Sequence, residues 1–173
     1  MGAGGGHVAR RLRDAGLTVV TTDAAPGMEP DVISRAEELP FADSSFDVVV
    51  CRIAAHHFPD ALAAVKDMAR VARDRVVIED NTFTSEVAEE ADKLRDPSHV
   101  RNYTVAEWHS FFELAGLDVA EEARMVRDTD FADWLDRTDT PEGERARITE
   151  LLDSRLHDGR LELPTVILKG VKS

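Results

Sequence analysis

The sequence predicts an α/β fold of three layers, with helices on both faces of a sheet, and three observations predict it. A glycine-rich start, Met1-Gly-Ala-Gly-Gly-Gly, runs straight into the helical pattern His7-Val-Ala-Arg-Arg-Leu. Strand-like apolar runs at residues 17–22, 31–34, 46–51 and 75–80 then alternate with helical stretches, the β-α-β order of a parallel sheet. After residue 80 the order changes to helices followed by the strand-like Thr165-Val-Ile-Leu, a mixed end.

Each element has a local reason. Glycines at Gly2, Gly4 and Gly6 free the backbone for φ > 0 and for close approach to a ligand. The helix that follows, over residues 6–15, points unpaired N–H groups at whatever sits there, and Gly16 stops it. Residues 17–22 read as a buried strand closed by Asp23, and Gly2 to Asp23 is 21 residues. That spacing places an acid at the tip of the second strand of a nucleotide-binding unit, where it can accept from a ribose diol. The alternative for Asp23 is a turn residue ahead of Pro26-Gly27. Phe46-Asp-Val-Val-Val-Cys is a continuous apolar run suited to a strand covered on both faces, which makes Cys51 a core residue.

Further on, a helix is predicted from Asp60 with Leu62, Val65 and Ala69 at helical spacing, followed by a strand at Arg75-Val-Val-Ile-Glu-Asp. Residues 85–94 form a helix with Val87, Ala91 and Leu94 on one stripe. Thr104-Val-Ala-Glu is a capping box opening a helix stopped by Gly116, and Thr140-Pro-Glu opens another that ends near Gly159.

Composition narrows the function. At 173 residues and 43% hydrophobic, the chain reads as one domain, residues 1–173, with a sizeable core. A formal charge of −13 argues against a nucleic-acid or anionic-membrane surface and favours a small-molecule partner. The single cysteine excludes an intrachain disulfide; with no apolar run of transmembrane length and no signal-peptide pattern, a cytoplasmic protein without membrane insertion is expected.

Gly-x-Gly-x-Gly, the acid Asp23, Ala36-Glu-Glu-Leu-Pro-Phe, Ser45-Phe-Asp-Val-Val-Val and a later strand ending in an acid occur here in that order. As an ordered set over residues 2–80, they resemble class I S-adenosylmethionine-dependent methyltransferases, and within them the type 11 branch that includes the ubiquinone/menaquinone C-methyltransferases. The resemblance implies a Rossmann-like methyltransferase sandwich, a mostly parallel sheet with an antiparallel C-terminal hairpin formed by residues 117–126 and 161–171. It implies S-adenosyl-L-methionine as cofactor. Gly2, Gly4 and Gly6 would receive its methionine part, Asp23 the ribose hydroxyls, and Arg35 with Ala36 the adenine. Residues 1–80 would then be the cofactor half, and residues 81–173 the substrate side.

Three departures from the family pattern carry expectations of their own. Arg35 stands where an acceptor for the adenine amine is usual, and a guanidinium has donors only. Seven residues separate Asp23 from Asp31, too few for a crossover helix, so the third strand should be a short piece reached by a loop. Finally, the family carries a strand before the glycine turn, in mid-sheet, whereas Met1 directly precedes Gly2; the chain is expected to lack its own first strand.

Methyl transfer from a sulfonium needs alignment above all, and a base only where the acceptor must lose a proton. Base candidates are His56 and His57, just beyond the strand at 46–51; each is either catalytic or a packed or capping residue ahead of the Pro59 helix. His99 and Arg101, in the broken stretch Asp96-Pro-Ser-His-Val-Arg, are candidates for the substrate side, or belong to a solvated loop. Glu79 and Asp80 end a strand and could orient an acceptor, but no ligand set accompanies them and no metal is expected. The functional expectation is methyl transfer to a small-molecule acceptor. The rival is a methyltransferase-like chain acting as a binding or regulatory partner. A nicotinamide oxidoreductase is disfavoured, because Leu39-Pro-Phe followed by Phe46-Asp-Val-Val belongs to the methyltransferase set.

Overall fold

The computed structural model describes residues 1–172. Helix α1, His7–Asp14, starts from Gly6 in the left-handed region (φ 72°) and ends with Gly16 at φ 83°. Strands β1, Thr22–Asp23, and β2, Val32–Ile33, pair in parallel and form a small sheet of their own. Strand β3, Phe46–Arg52, leads through a 3-10 turn at Ala55–His57 to helix α2, Ala61–Val71, which is capped by Asp60 accepting from Ala63 N–H. Strand β4, Ala72–Asn81, follows α2 with no intervening residue.

The second half adds helix α3, Glu86–Arg95, and helix α4, Val105–Leu114, whose capping box between Thr104 and Glu107 is formed in both directions. Strand β5, Leu117–Asp130, helix α5, Phe131–Asp136, helix α6, Glu142–Leu152, strand β6, Leu156–His157, and strand β7, Arg160–Lys172, complete the order. The larger sheet runs β3-β4-β7-β5, with β6 pairing to β7.

The sheet is mixed, not mostly parallel: β3 and β4 are parallel, whereas β4–β7, β5–β7 and β6–β7 are antiparallel. The reason lies in which strands pair. The short parallel strands β1 and β2 pair only with each other, so β3–β4 is left as the parallel pair of a larger sheet whose other partners, β5 and β7, are antiparallel strands of 14 and 13 residues. Residues 17–22 are likewise not a buried strand. Only Thr22 and Asp23 find a partner, and Leu17 and Val20 are 55% and 42% exposed. The short link between β1 and β2 carries a 3-10 turn at Pro26–Met28 where a crossover helix would need more chain.

Two apolar clusters hold the chain together. The first packs Met68, Val65, Trp108 and Phe112 of α2 and α4 on Val76, Ile78, Val166 and Leu168 of the sheet, and Cys51 is fully buried in it. There burial pushes its thiol up to about 12, so it stays protonated and inert. The second joins Ala88 and Ala91 of α3 to Trp134, Ile148 and Leu161. The opposite face of the larger sheet is thinly covered, with Val48 and Met125 more than 40% exposed. Residues 1–3 bridge the two sheets: the Met1 nitrogen donates to the Val50 carbonyl at 2.8 Å, and Ala3 N–H donates to the Thr22 carbonyl at 3.1 Å. Among the described residues, no helix is long and apolar enough to cross a membrane.

Candidate active site

The glycine turn and the tip of β1 meet. Gly2, Gly4 and Gly6 all hold positive φ (59°, 45° and 72°), a conformation that side chains rarely adopt. A Cβ on Gly2 would stand 2.5 Å from the Ala54 Cβ, whereas one on Gly4 or Gly6 would project into open space. Asp23 faces the turn. Its Oδ2 accepts Gly4 N–H at 3.0 Å, and its Oδ1 accepts Ala25 N–H at 2.9 Å. Each carboxylate oxygen keeps a lone pair for a further donor.

The segment after β2 reaches the same place, because Ser34 N–H donates to the Asp23 carbonyl. Ser34 Oγ is sealed from solvent without a hydrogen-bond partner. Arg35 points out, its guanidinium exposed and 3.5 Å from Glu37, while Ala36 is buried. Leu39-Pro-Phe is fixed from α2: Asp67 accepts Leu39 N–H at 2.6 Å, and Arg70 donates to the carbonyls of Leu39 and Phe41. A cleft of about 400 Å³ opens between α1 and the β1–β2 link, lined by Gly5, Gly6, Arg13, Thr21, Met28 and Asp31.

Beyond the end of β3, three histidines come together. The ring centroids of His56 and His57 lie 4.2 Å apart, those of His56 and His99 5.4 Å, and those of His57 and His99 6.4 Å. His56 is buried, and Asp80 at the end of β4 grips it twice, accepting its backbone N–H at 2.9 Å and facing its Nδ1 at 2.6 Å. Asp80 is fully buried and also accepts Asn81 N–H at 2.8 Å. Burial alone would pull the His56 imidazole down, but the Asp80 charge and hydrogen bond outweigh it and hold the ring above its ordinary value. His56 Nε2 has no hydrogen-bond partner among the described residues and is not among the atoms sealed from solvent.

His57 sits in a different environment. Its Nδ1 meets Ser98 Oγ at 3.0 Å, and the Ser98 hydroxyl donates to Asp96 Oδ1 at 2.6 Å. Burial and the neighbouring His56 hold the His57 ring below its ordinary value, against the pull of Ser98 and Asp96.

The loop at 96–102 is anchored beneath this pair. Val100 and Arg101 N–H both donate to the His56 carbonyl. His99 is buried with its Nε2 3.1 Å from Glu89 Oε2, and Asn102 donates through Nδ2 to Glu89 and Asp92, both at 2.8 Å. Glu89, Asp92 and His99 bring one ligand atom each within 4.8 Å of one another; both carboxylates receive donors from Asn102, whose own Oδ1 is sealed from solvent without a partner. The Arg101 guanidinium takes no part in the cluster; it pairs with Glu107 at 2.7 Å and lies 4.6 Å over the Tyr103 ring.

The geometry thus gathers His56, His57 and His99, keeps Arg101 elsewhere, and adds partners that sequence reading left unassigned. Asp80 was visible as an acid ending a strand. Ser98, Asp96 and Glu89 carried no signal of their own, because each acts on a histidine 10 to 41 residues away.

Residues 1–78 match the family model described as "Methyltransferase domain". The "Uncharacterized methyltransferase YcgJ" of Bacillus subtilis is 32% identical over 175 residues, covering 87% of this chain and 69% of YcgJ. YafE of Escherichia coli is 35% identical over 136 residues, covering 73% of this chain and 66% of its own length. The chain therefore spans about two thirds of the length of these curated relatives. The crystal structure of YcgJ aligns with a TM-score of 0.86 at 28% identity, over 99% of this chain and 89% of that one. A putative methyltransferase from Bacillus halodurans aligns with a TM-score of 0.86 at 26% identity, over 99% and 90% of the two chains. With the glycine turn and Asp23 lying in the matched segment, the chain belongs to the class I methyltransferases.

Proposed function

We propose that this chain transfers a methyl group from S-adenosylmethionine to a small-molecule acceptor. The observation that carries the reading is the contact of Asp23 with Gly4: an acid at a strand tip locked onto a turn of positive-φ glycines. The residues fit the cofactor. Open space in front of Gly4 and Gly6 accommodates a ligand against the backbone, Asp23 has lone pairs for a ribose diol, and the unpartnered Ser34 Oγ supplies a further polar atom beside it. Arg35 turns to Glu37, so an adenine would be met by the backbone at Arg35 and the buried Ala36.

When bound, the cofactor supplies an electrophilic methyl on a sulfonium. The chain's own residues do the rest. Residues 1–80 hold the cofactor, and residues 81–173 shape the acceptor side, where His99 and the backbone of Arg101 support His56. His56 and His57 stand beyond the carboxyl end of β3, where open α/β sheets bind their ligands, and offer imidazole nitrogens for a proton. The acidic surface suits a small acceptor over nucleic acid. The orientation of Arg35 favours the rival reading, a partner chain that binds cofactor poorly.

Calorimetric titration with S-adenosylhomocysteine and with NAD tests the proposal. Binding of the first alone is expected; binding of neither sustains the rival, and binding of NAD alone overturns the assignment.

A further inference from the structure

His56 and His57 are neighbours in sequence and in space, but their Nδ1 atoms are held by different partners, a carboxylate on His56 and a hydroxyl on His57. Asp80 is a fully buried carboxylate whose other donors are two backbone N–H groups, and the ring facing it at 2.6 Å is at charge-assisted distance. A buried carboxylate calls for a positive partner, and the imidazolium of His56 is the one in contact. His57 Nδ1 faces a neutral hydroxyl instead, and its Nε2 lies 4.0 Å from Asp96 Oδ2, beyond hydrogen-bond distance. With the Ser98 hydroxyl donating to Asp96, the matching tautomer of His57 carries its hydrogen on Nδ1 and its lone pair on Nε2. A charged ring 4.2 Å away further disfavours a second proton.

We propose that the two histidines divide the acid–base work on an acceptor with an ionisable O–H, a phenol or an enol. His57 Nε2 takes the acceptor's proton, and the His56 imidazolium, positioned by Asp80, stabilises the oxyanion left behind. In this step the O–H bond breaks, an N–H bond forms on His57, and the electron pair stays on the oxygen. Phenols, which ionise near ~10, lie close enough to imidazole for such a transfer, whereas aliphatic alcohols do not. The opposite displacements of the two rings from their ordinary values agree with this split. The groups facing the pair are Asp80 from β4, Asp92 and Arg95 from α3, and Asp96, Ser98 and His99 from the following loop. This inference rests on the methyltransferase reading above.

The test uses the full chain saturated with S-adenosylhomocysteine, and 4-nitrophenol, whose anion absorbs visible light. Failure to bind S-adenosylhomocysteine would count against the functional reading itself. With that ligand bound, 4-nitrophenol is expected to ionise at a lower pH than free in solution, by about one unit. His56→Gln should abolish this displacement, and Asp80→Asn should narrow the pH range over which it is seen, both with S-adenosylhomocysteine affinity within twofold of the parent. His57→Gln should retain the bound anion. Nitrogen-15 spectra of the imidazoles should show His56 staying doubly protonated to a higher pH than His57. The division of roles is overturned if 4-nitrophenol fails to bind the loaded protein, if His56→Gln leaves its ionisation displaced, or if the spectra show the reverse protonation.

Discussion

Asp23 Oδ2 lies 3.0 Å from the amide nitrogen of Gly4, so the acid that ends β1 also pins the glycine turn. One carboxylate thus sets the shape of the turn and faces the ligand it would receive. Asp23→Ala should weaken S-adenosylhomocysteine binding about tenfold to a hundredfold, since hydrogen bonds to a charged group contribute roughly 1.5–3 kcal/mol. Asp23→Asn should retain part of the turn contact and lose less. Calorimetry on the three proteins decides it, and equal affinities would remove Asp23 from the site.

The glycines of the turn are not equivalent. Gly2→Ala adds a Cβ 2.5 Å from that of Ala54 on top of a strained φ, while Gly6→Ala meets open space and bears only the backbone cost. Overpacking costs ~1–3 kcal/mol, and left-handed backbone about 1–2 kcal/mol for a residue with a Cβ. Thermal unfolding should therefore show the larger loss at Gly2.

Away from the site, Gly170 in β7 makes room for α4. A Cβ there would stand 2.6 Å from Phe112 Cδ1 and 3.1 Å from Leu117 Cβ. Gly170→Ala should destabilise the chain by ~1–3 kcal/mol with S-adenosylhomocysteine affinity unchanged. Loss of stability and affinity together would mean that the α4 side of the sheet is coupled to the glycine turn.

Glu89 anchors the loop under the histidines through His99 and Asn102, which hold its carboxyl below the usual range against the effect of burial. Glu89→Gln should cost ~1–3 kcal/mol and speed hydrogen exchange of the amides at residues 96–102. Unchanged exchange there would show that the contacts of Val100 and Arg101 to the His56 carbonyl suffice.

Stability should also report on His56. Its folded-state value is raised, so the native state binds the proton more tightly than the unfolded chain does. The contribution is fully present below the unfolded value of about 6.5 and is lost as pH rises through the folded value. The stability advantage of the parent over His56→Gln should thus shrink as pH is raised above 6.5. Denaturant unfolding across that range measures it, and an advantage that grew with pH would reverse the assigned charge.

How much of this was readable in advance depends on the range of the interaction. The glycine turn, the Asp23 spacing, the capping box at Thr104–Glu107 and the helices α2, α3 and α4 rest on neighbours a few residues apart, and those signals are written locally. The run at 17–22 misled because its apolar pattern suits a strand, while a strand also needs a partner, and only Thr22 and Asp23 find one. The mixed character of the sheet depended on which strands pair, with β1 and β2 keeping to each other, and a single run of residues does not record its partner.

By itself, then, the sequence determined that this protein is a class I methyltransferase chain with Asp23 at its glycine turn and a histidine pair beyond β3. Only the tertiary structure decided which groups meet those histidines. Asp80 reaches His56 across 24 residues, Ser98 reaches His57 across 41, and Arg101 turns away to Glu107 and Tyr103. The physical reason is that a histidine's charge and tautomer follow from the groups packed against each ring nitrogen, and chain folding, not chain order, chooses those groups.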